Sequence, residues 1–477
     1  MAKPAVCESP VAMPFCLGCQ ERDARIVELQ QQLNALQAQN RQLAESARRN
    51  ASNSSMPPST NPPDAPKPTT KKPTGRKRGG QPGHVGHRRV RLPPERVQYT
   101  IPFVPLCCDY CKTALPETAG PNDPEPTWHQ YAELPKAAAV VTEYQGHART
   151  CTCCGQVSNA PIPEEFRRAS IGPRLGATLS YLSGSPHVSK RGIEEICETV
   201  FQVPISLGTI GNLEQEMSAA LQAAHTEAQQ AVQQAPIKHV DETGWKQAGR
   251  KRWLWGAATA TVVCFVLHAT RGIKGFHALL GNKLNGLFVS DRWSVYHCLP
   301  VTRRQICWAH LKRDFQKLVD RGGPSQLIGE RGLEVVLVLF EAWHAFRRGE
   351  LSRRALQTHL DPIRLCLRLR LEEGTRCPES KTATFCQNLL DLEPALWTFL
   401  YRPGVEPTNN HIERLVRSAV LWRKIAFGSQ SDNGCRFVER ILTVVGTLRL
   451  QKRPVLEFLE DSLRARRGDC QPPKLIV

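Results

Sequence analysis

Ile237-Lys238-His239-Val240-Asp241 and Gly286-Leu287-Phe288-Val289-Ser290-Asp291 are the two stretches on which the fold turns. Each is a short apolar run that ends in a carboxylate, and such runs read as buried strands. Outward from the first, residues 253–260 and 261–269 are two more β-rich runs, consistent with a hairpin. Residues 274–280 read as a short helix, 305–307 as a fifth strand and 309–319 as a helix. Further on, Asn409-Asn410-His411-Ile412-Glu413-Arg414-Leu415-Val416-Arg417 reads as a capped helix start with Glu413 and Arg417 on one face.

The order strand-strand-strand-helix-strand-helix-strand-helix predicts an α/β core of the RNase H-like class, over residues 236–430. Residues 325–400, rich in Leu, Arg and Glu, read as a helical insertion within it. A lone Asp at a strand end is more often a turn or cap residue than a ligand. Two apolar strands that both end in Asp, with a helical Glu to follow, make a different case. Mg²⁺ takes oxygen ligands and keeps several waters, and a pair of such ions serves phosphodiester displacement. Asp241, Asp291 and Glu413 are therefore the candidate metal-binding and catalytic acids. Arg414 and Arg417 beside them are candidate phosphate contacts. Glu242 and Glu439 are held in reserve, Glu242 because alternation turns it to the opposite face from Asp241.

Composition points to the partner. A formal charge of +19 over 477 residues calls for a polyanion, with nucleic acid ahead of a membrane surface. No run approaches the roughly 20 apolar residues of a membrane span, and no secretory signal is read. Length alone implies more than one unit.

Residues 20–50 read as a coiled coil, with Ile26, Leu33, Asn40 and Ala47 at a positions and Leu29, Leu36 and Leu43 at d. A buried Asn at a favours a two-stranded pairing; a single amphipathic helix is the alternative. Residues 51–96 form a Pro-rich, then basic linker. The stretch from Lys67 to Arg91 holds nine Lys or Arg and no acid. Arg76, Lys77, Arg78, Arg88 and Arg89 in it suit DNA phosphates or a minor groove, unless the tract is merely solvated.

Residues 97–160 carry Cys108-x-x-Cys111 and Cys151-x-x-Cys154, 39 residues apart. Four thiolates close a tetrahedral Zn²⁺ site, though Cys107, Cys153 and His147 compete as ligands. Eighteen cysteines so distributed fit a reducing cytosol better than a disulfide framework. Residues 161–235 are helical, either a helix-turn-helix or a cover for the following domain, and 431–477 form a C-terminal region.

Asp241-Glu242-Thr243, Ser290-Asp291-x4-Tyr296 and Asn410-x-x-Glu413-Arg414 resemble the DDE signature of IS66-type insertion-sequence transposases. The zipper, the Gly-Arg-Lys-x-Gly-Gly-Gln-Pro-Gly-His segment at 75–84 and the paired CxxC motifs follow that family's order. Cys307-Trp308-Ala309-His310 is similar to the Cys-x-x-His element of many DDE transposases, or else is core packing with one satisfied histidine. The resemblance implies Mg²⁺- or Mn²⁺-dependent DNA cleavage and strand transfer by Asp241, Asp291 and Glu413. It implies binding to terminal repeats and target DNA, a homodimer or higher oligomer, small accessory proteins, and a place in the bacterial cytoplasm at the nucleoid. A non-catalytic zinc and coiled-coil DNA-binding protein, or a nuclease that only hydrolyses, are the competing expectations.

Overall fold

β-Strands and helices are described from a computed structural model for residues 17–47, 53, 91–118, 120–121, 123–135, 138–167 and 169–476. The basic tract with Arg76, Lys77, Arg78, Arg88 and Arg89 lies outside these residues. The chain divides into two units, Met1–Pro68 with Tyr144–Glu194 and Ile205–Val477, and Thr69–Glu143 with Glu195–Pro204.

In the first unit a two-stranded ribbon, β1 (Ala148–Thr150) and β2 (Val157–Asn159), is followed by the main sheet. That sheet comprises β3 (Ile237–Gln247), β4 (Arg250–Ala258), β5 (Val263–His268), β6 (Leu287–Ser290) and β7 (Arg304–Ile306), in the order β5-β4-β3-β6-β7. The first three form an antiparallel meander, and β6 and β7 add in parallel to β3. The β3–β4 turn has two central residues, Ala248 and Gly249, both with positive φ (46° and 74°). That is the turn whose twist matches a hairpin. The result is a mixed α/β core.

Two features differ from the sequence expectation. The place between β6 and β7, where a helix was expected, holds 3-10 turns at Ser294–Cys298 and Val301–Arg303. β3 does not stop at Asp241 but runs on to Gln247. Its parallel pairing with β6 ends at His239 and Val289, whereas its pairing with β4 continues to the end. Asp241 thus sits where one neighbour leaves and the other stays.

Phe288 and Val289 on β6 point to opposite faces, and each joins a different core. Phe288 packs with Phe276 of the Ile273–Leu280 helix and with Tyr296. Val289 joins Trp308, Phe315, Trp343, Trp397 and Phe399, a core shared with the long helices Pro324–Arg347 and Arg353–Gly374. A strand buried on both faces reads as a continuous apolar run, which is why β6 is one.

The edge strand β5 is covered by the Asp432–Leu450 helix. Thr443 and Thr447, one turn apart, accept the outward N–H groups of Phe265 (2.9 Å) and Val263 (3.1 Å) through their hydroxyls. Glu439, a turn earlier, accepts that of Leu267. An uncovered edge would be a template for mispairing. The C-terminal region is therefore integral to the sheet, and the reserve acid Glu439 has a structural role. The helices Pro173–Gly184, Leu207–Ala220 and Val455–Arg467 pack on this same side.

The helix Leu17–Ala47 is a single long helix. Ile26, Leu29, Leu33, Leu36 and Leu43, five of the seven expected a and d residues, are exposed on it. Among the described residues, no helix is long and apolar enough to cross a membrane.

Candidate active site

The β3–β6 register places Ile237 beside Leu287 and His239 beside Val289, an offset that sets Asp241 beside Asp291. Both carboxylates then lie on one face, where the two strands part. The third acid arrives on the Asn410–Ala426 helix, which packs across β3 and β4. Ile412 of that helix reaches Gly256, the residue opposite Asp241 on β4, at a point where a Cβ would stand 3.2 Å from its methyl. The absent side chain lets the helix come down onto the sheet and carry Glu413 inward.

The charges of the three acids bear on one another, although among the described residues their oxygens do not all lie within 4.8 Å as a ligand group's would. Asp241 is raised well above the usual carboxylate range by burial first, then by the charges of Glu242, Asp291 and Glu413. Asp291 is raised by burial, against a backbone N–H from Trp293 and the cations Arg271, Arg292 and Arg304. Glu413 is raised by burial and by Asp291, with Arg313 opposing. Burial and like charge thus raise these carboxyls, and the neighbouring arginines offset the rise only in part.

Glu242 points the other way, as alternation requires. Its carboxylate accepts the Tyr296 hydroxyl at 2.6 Å and pairs with Arg271 at 2.7 Å. Arg271 in turn lies over the rings of Trp293 (4.0 Å) and Trp253 (4.9 Å). Burial and Asp291 together push Glu242 up to about 7. Tyr296 is thereby explained as a prop for the layer beneath the acids. Tyr296→Phe should leave that buried carboxylate short of one donor. The expected cost is about 1–3 kcal/mol, read as a lower midpoint in urea, with DNA binding unchanged. Equal midpoints for variant and wild type would show that the bond contributes nothing.

Asn409 does not cap its helix with its side chain. Instead its amide donates to the Val240 carbonyl (2.8 Å) and its oxygen faces His239 Nδ1 (3.2 Å). The helix is thus tied to β3 one residue before Asp241. Cys307 caps the Trp308–Arg321 helix by position, and its sulfur accepts the Asn409 N–H at 3.1 Å. Cys307, His310 and Glu413 offer ligand atoms that all lie within 4.8 Å of one another. Burial pushes the Cys307 thiol up to about 12 and His310 down to about 3.

A model of the IS66 transposase family matches residues 168–436, more than half of the chain and all of the sheet. The chain belongs to that family. A second match, to a family of unknown function, covers residues 15–90. No curated protein matches.

In this IS66-family transposase Arg414 and Arg417 are exposed, and it is Arg313 whose charge bears on Glu413. Arg313, three residues after His310 on the same helix, was missed in the sequence because nothing local ties that helix to Glu413. Arg292 was missed too. It pairs with Asp314 at 2.6 Å and stacks over Phe385 (4.9 Å), so the helical segment leans on the residue after Asp291.

The two CxxC motifs make matching turns. The Lys112 N–H donates to the Cys108 carbonyl (3.0 Å) and the Gly155 N–H to that of Cys151 (2.9 Å), with φ of 60° and 74° at the two donors. The hydroxyl and backbone N–H of Thr113 hold Cys111 down to about 7, and backbone N–H groups of Cys154 and Cys153 lower Cys151. Such donors favour the thiolate, the form that binds a metal. Cys108 and Cys111 belong to the second unit, Cys151 and Cys154 to the first.

Proposed function

We propose that this chain is a DDE transposase with an RNase H-like catalytic core. It cuts DNA at the ends of an insertion sequence and joins the freed ends to a target. The observation that carries the reading is the placement of Asp241 on β3 and Asp291 just after its parallel neighbour β6, with the helix that bears Glu413 packed across β3. The hard oxygen donors of these three acids fit Mg²⁺ or Mn²⁺. When bound, a pair of such ions activates the attacking oxygen and stabilises the leaving one.

The residues supply the rest. Asp241 on β3 and Asp291 just after β6 would hold the ions against which the reacting phosphate is positioned, and Glu413 would complete the set from its helix. Arg313, Arg292 and Arg271 bring positive charge to an acidic site that must accept a polyanion. In the first step a water oxygen bonds to phosphorus, the bond to the 3′ oxygen breaks, and a 3′-hydroxyl leaves with a proton. In the second that hydroxyl attacks a target phosphodiester in line and displaces the target's own 3′ oxygen. No covalent link to protein is needed.

The accessory parts fit the same reading. The exposed apolar stripe of the Leu17–Ala47 helix suits pairing with a second copy as a coiled coil, which would hold two element ends together. Cys108, Cys111, Cys151 and Cys154 would be Zn²⁺ ligands, each CxxC turn presenting two sulfurs. Arg76, Lys77, Arg78, Arg88, Arg89, Arg414 and Arg417 would contact the terminal repeats. Small accessory proteins, and the nucleoid of the bacterial cytoplasm, are the expected setting.

The test is a labelled element-end substrate incubated with the full chain, target DNA and Mg²⁺. Joined strands are expected. Cleavage without joining would make the protein a nuclease, and binding alone would make it a DNA-binding protein without catalysis.

A further inference from the structure

One cluster beside the acids has a different chemistry. Cys307 Sγ stands 3.9 Å from Glu413 Oε1, and His310 Nδ1 stands 3.6 Å from that same oxygen. A sulfur, an imidazole nitrogen and one carboxylate oxygen are the mixed donors that a borderline-soft ion takes, whereas Mg²⁺ takes oxygen. His310 Nδ1 is buried and has no hydrogen-bond partner. A polar atom in that state costs free energy unless something fills its place. At the sulfur, the backbone N–H of Asn409 donates to Sγ at 3.1 Å. The three ligands come from two helix starts, Cys-x-x-His at one and Glu413 at the other, so an ion here would tie them together.

We propose that Cys307 Sγ, His310 Nδ1 and Glu413 Oε1 hold a thiophilic divalent ion of the Zn²⁺ class. The fourth position is open to water. Glu413 Oε1 is taken by this ion, which leaves Oε2 to turn toward Asp241 and Asp291. The ion therefore orients the catalytic Glu and stands apart from the oxygen-ligated pair. Its effect on catalysis rests on the strand-transfer reading; the site itself rests only on the three ligand atoms.

The experiment uses the full chain, stripped with a chelator and refilled with Co²⁺ as a spectroscopic stand-in. The CxxC cysteines will also take Co²⁺, so the readout is the difference between wild type and variant. Cys307→Ser and His310→Gln should each bind one ion fewer per chain. Cys307→Ser should lose part of the sulfur-to-cobalt absorption, and His310→Gln should shift the ligand-field bands. The affinity lost at this site should exceed the roughly 10–100-fold that removing a mere supporting partner costs. The CxxC contribution, unchanged in both, reports that the variants are folded. Equal ion content and identical spectra in wild type and both variants would overturn the proposal. A strand-transfer assay on the same preparations separates the two readings. Joining that persists while the spectra are identical sinks this site alone; an ion that is bound while no strand is cut sinks the transposition reading and leaves this one standing.

Discussion

Asp241→Asn is expected to cut strand transfer by about a thousandfold or more, which is ~4 kcal/mol of barrier, while element ends still bind. On the proposed reading, binding draws on cationic contacts spread over the chain, whereas the chemistry needs all three acids together. The same substitution should also make the metal-free protein more stable. A carboxyl held above its ordinary value keeps its proton longer in the folded chain than in the unfolded one. Its contribution is thus fully present below the unfolded value and is lost as pH rises through the folded one. Burial and mutual repulsion raise Asp241, Asp291 and Glu413, and Glu242 reaches about 7. In a chelator the wild-type Tm should therefore fall as pH rises from about 4 toward 7. Asp241→Asn should fall less, and Mg²⁺ should restore the wild type more than the variant. Parallel Tm profiles for the two proteins would show that Asp241 is not desolvated among like charges. Undiminished joining by the variant would remove it from the catalytic set.

Trp308→Ala should be the most destabilising single change near the site, at about 3–5 kcal/mol. The ring is fully buried and packs on Trp397 at 5.0 Å. Its Nε1 donates to the Leu396 carbonyl at 2.7 Å. The alanine would leave a cavity and an orphaned acceptor at the place where the helical segment meets β7. Trp308→Phe keeps most of the volume and loses only the hydrogen bond, so it should fall well short of that figure. Urea unfolding followed by circular dichroism gives both values. A cost below about 1 kcal/mol for the alanine would mean that the helical core and the sheet are not mechanically coupled through this residue. The coupling matters because Trp308 lies between Cys307 and His310, and its loss should loosen both.

Much of the core was legible locally. Apolar runs mark β3 and β6, the β-rich stretches mark β4 and β5, and a Leu-, Arg- and Glu-rich composition marks the helical segment at 325–400. These signals arise within a few residues, because backbone geometry alone decides which side chains share a face. The point at which β3 would end was not legible. Whether a strand goes on past an acid depends on a partner, here β4, with which it pairs as far as Gln247 and Arg250.

By itself, then, the chain's order of residues determined an α/β core and three acids as the ones to watch. Only the tertiary structure decided what each neighbouring polar group is for. Glu242 and Glu439 look alike as acids in apolar surroundings. One is held by Arg271, 29 residues away, and Tyr296, 54 away; the other accepts a strand N–H 172 residues away. Asn409 looked like a helix cap and is a tether to β3, 169 residues back. Partners so distant are chosen when desolvated polar groups must find hydrogen bonds during packing, and no local pattern records that choice.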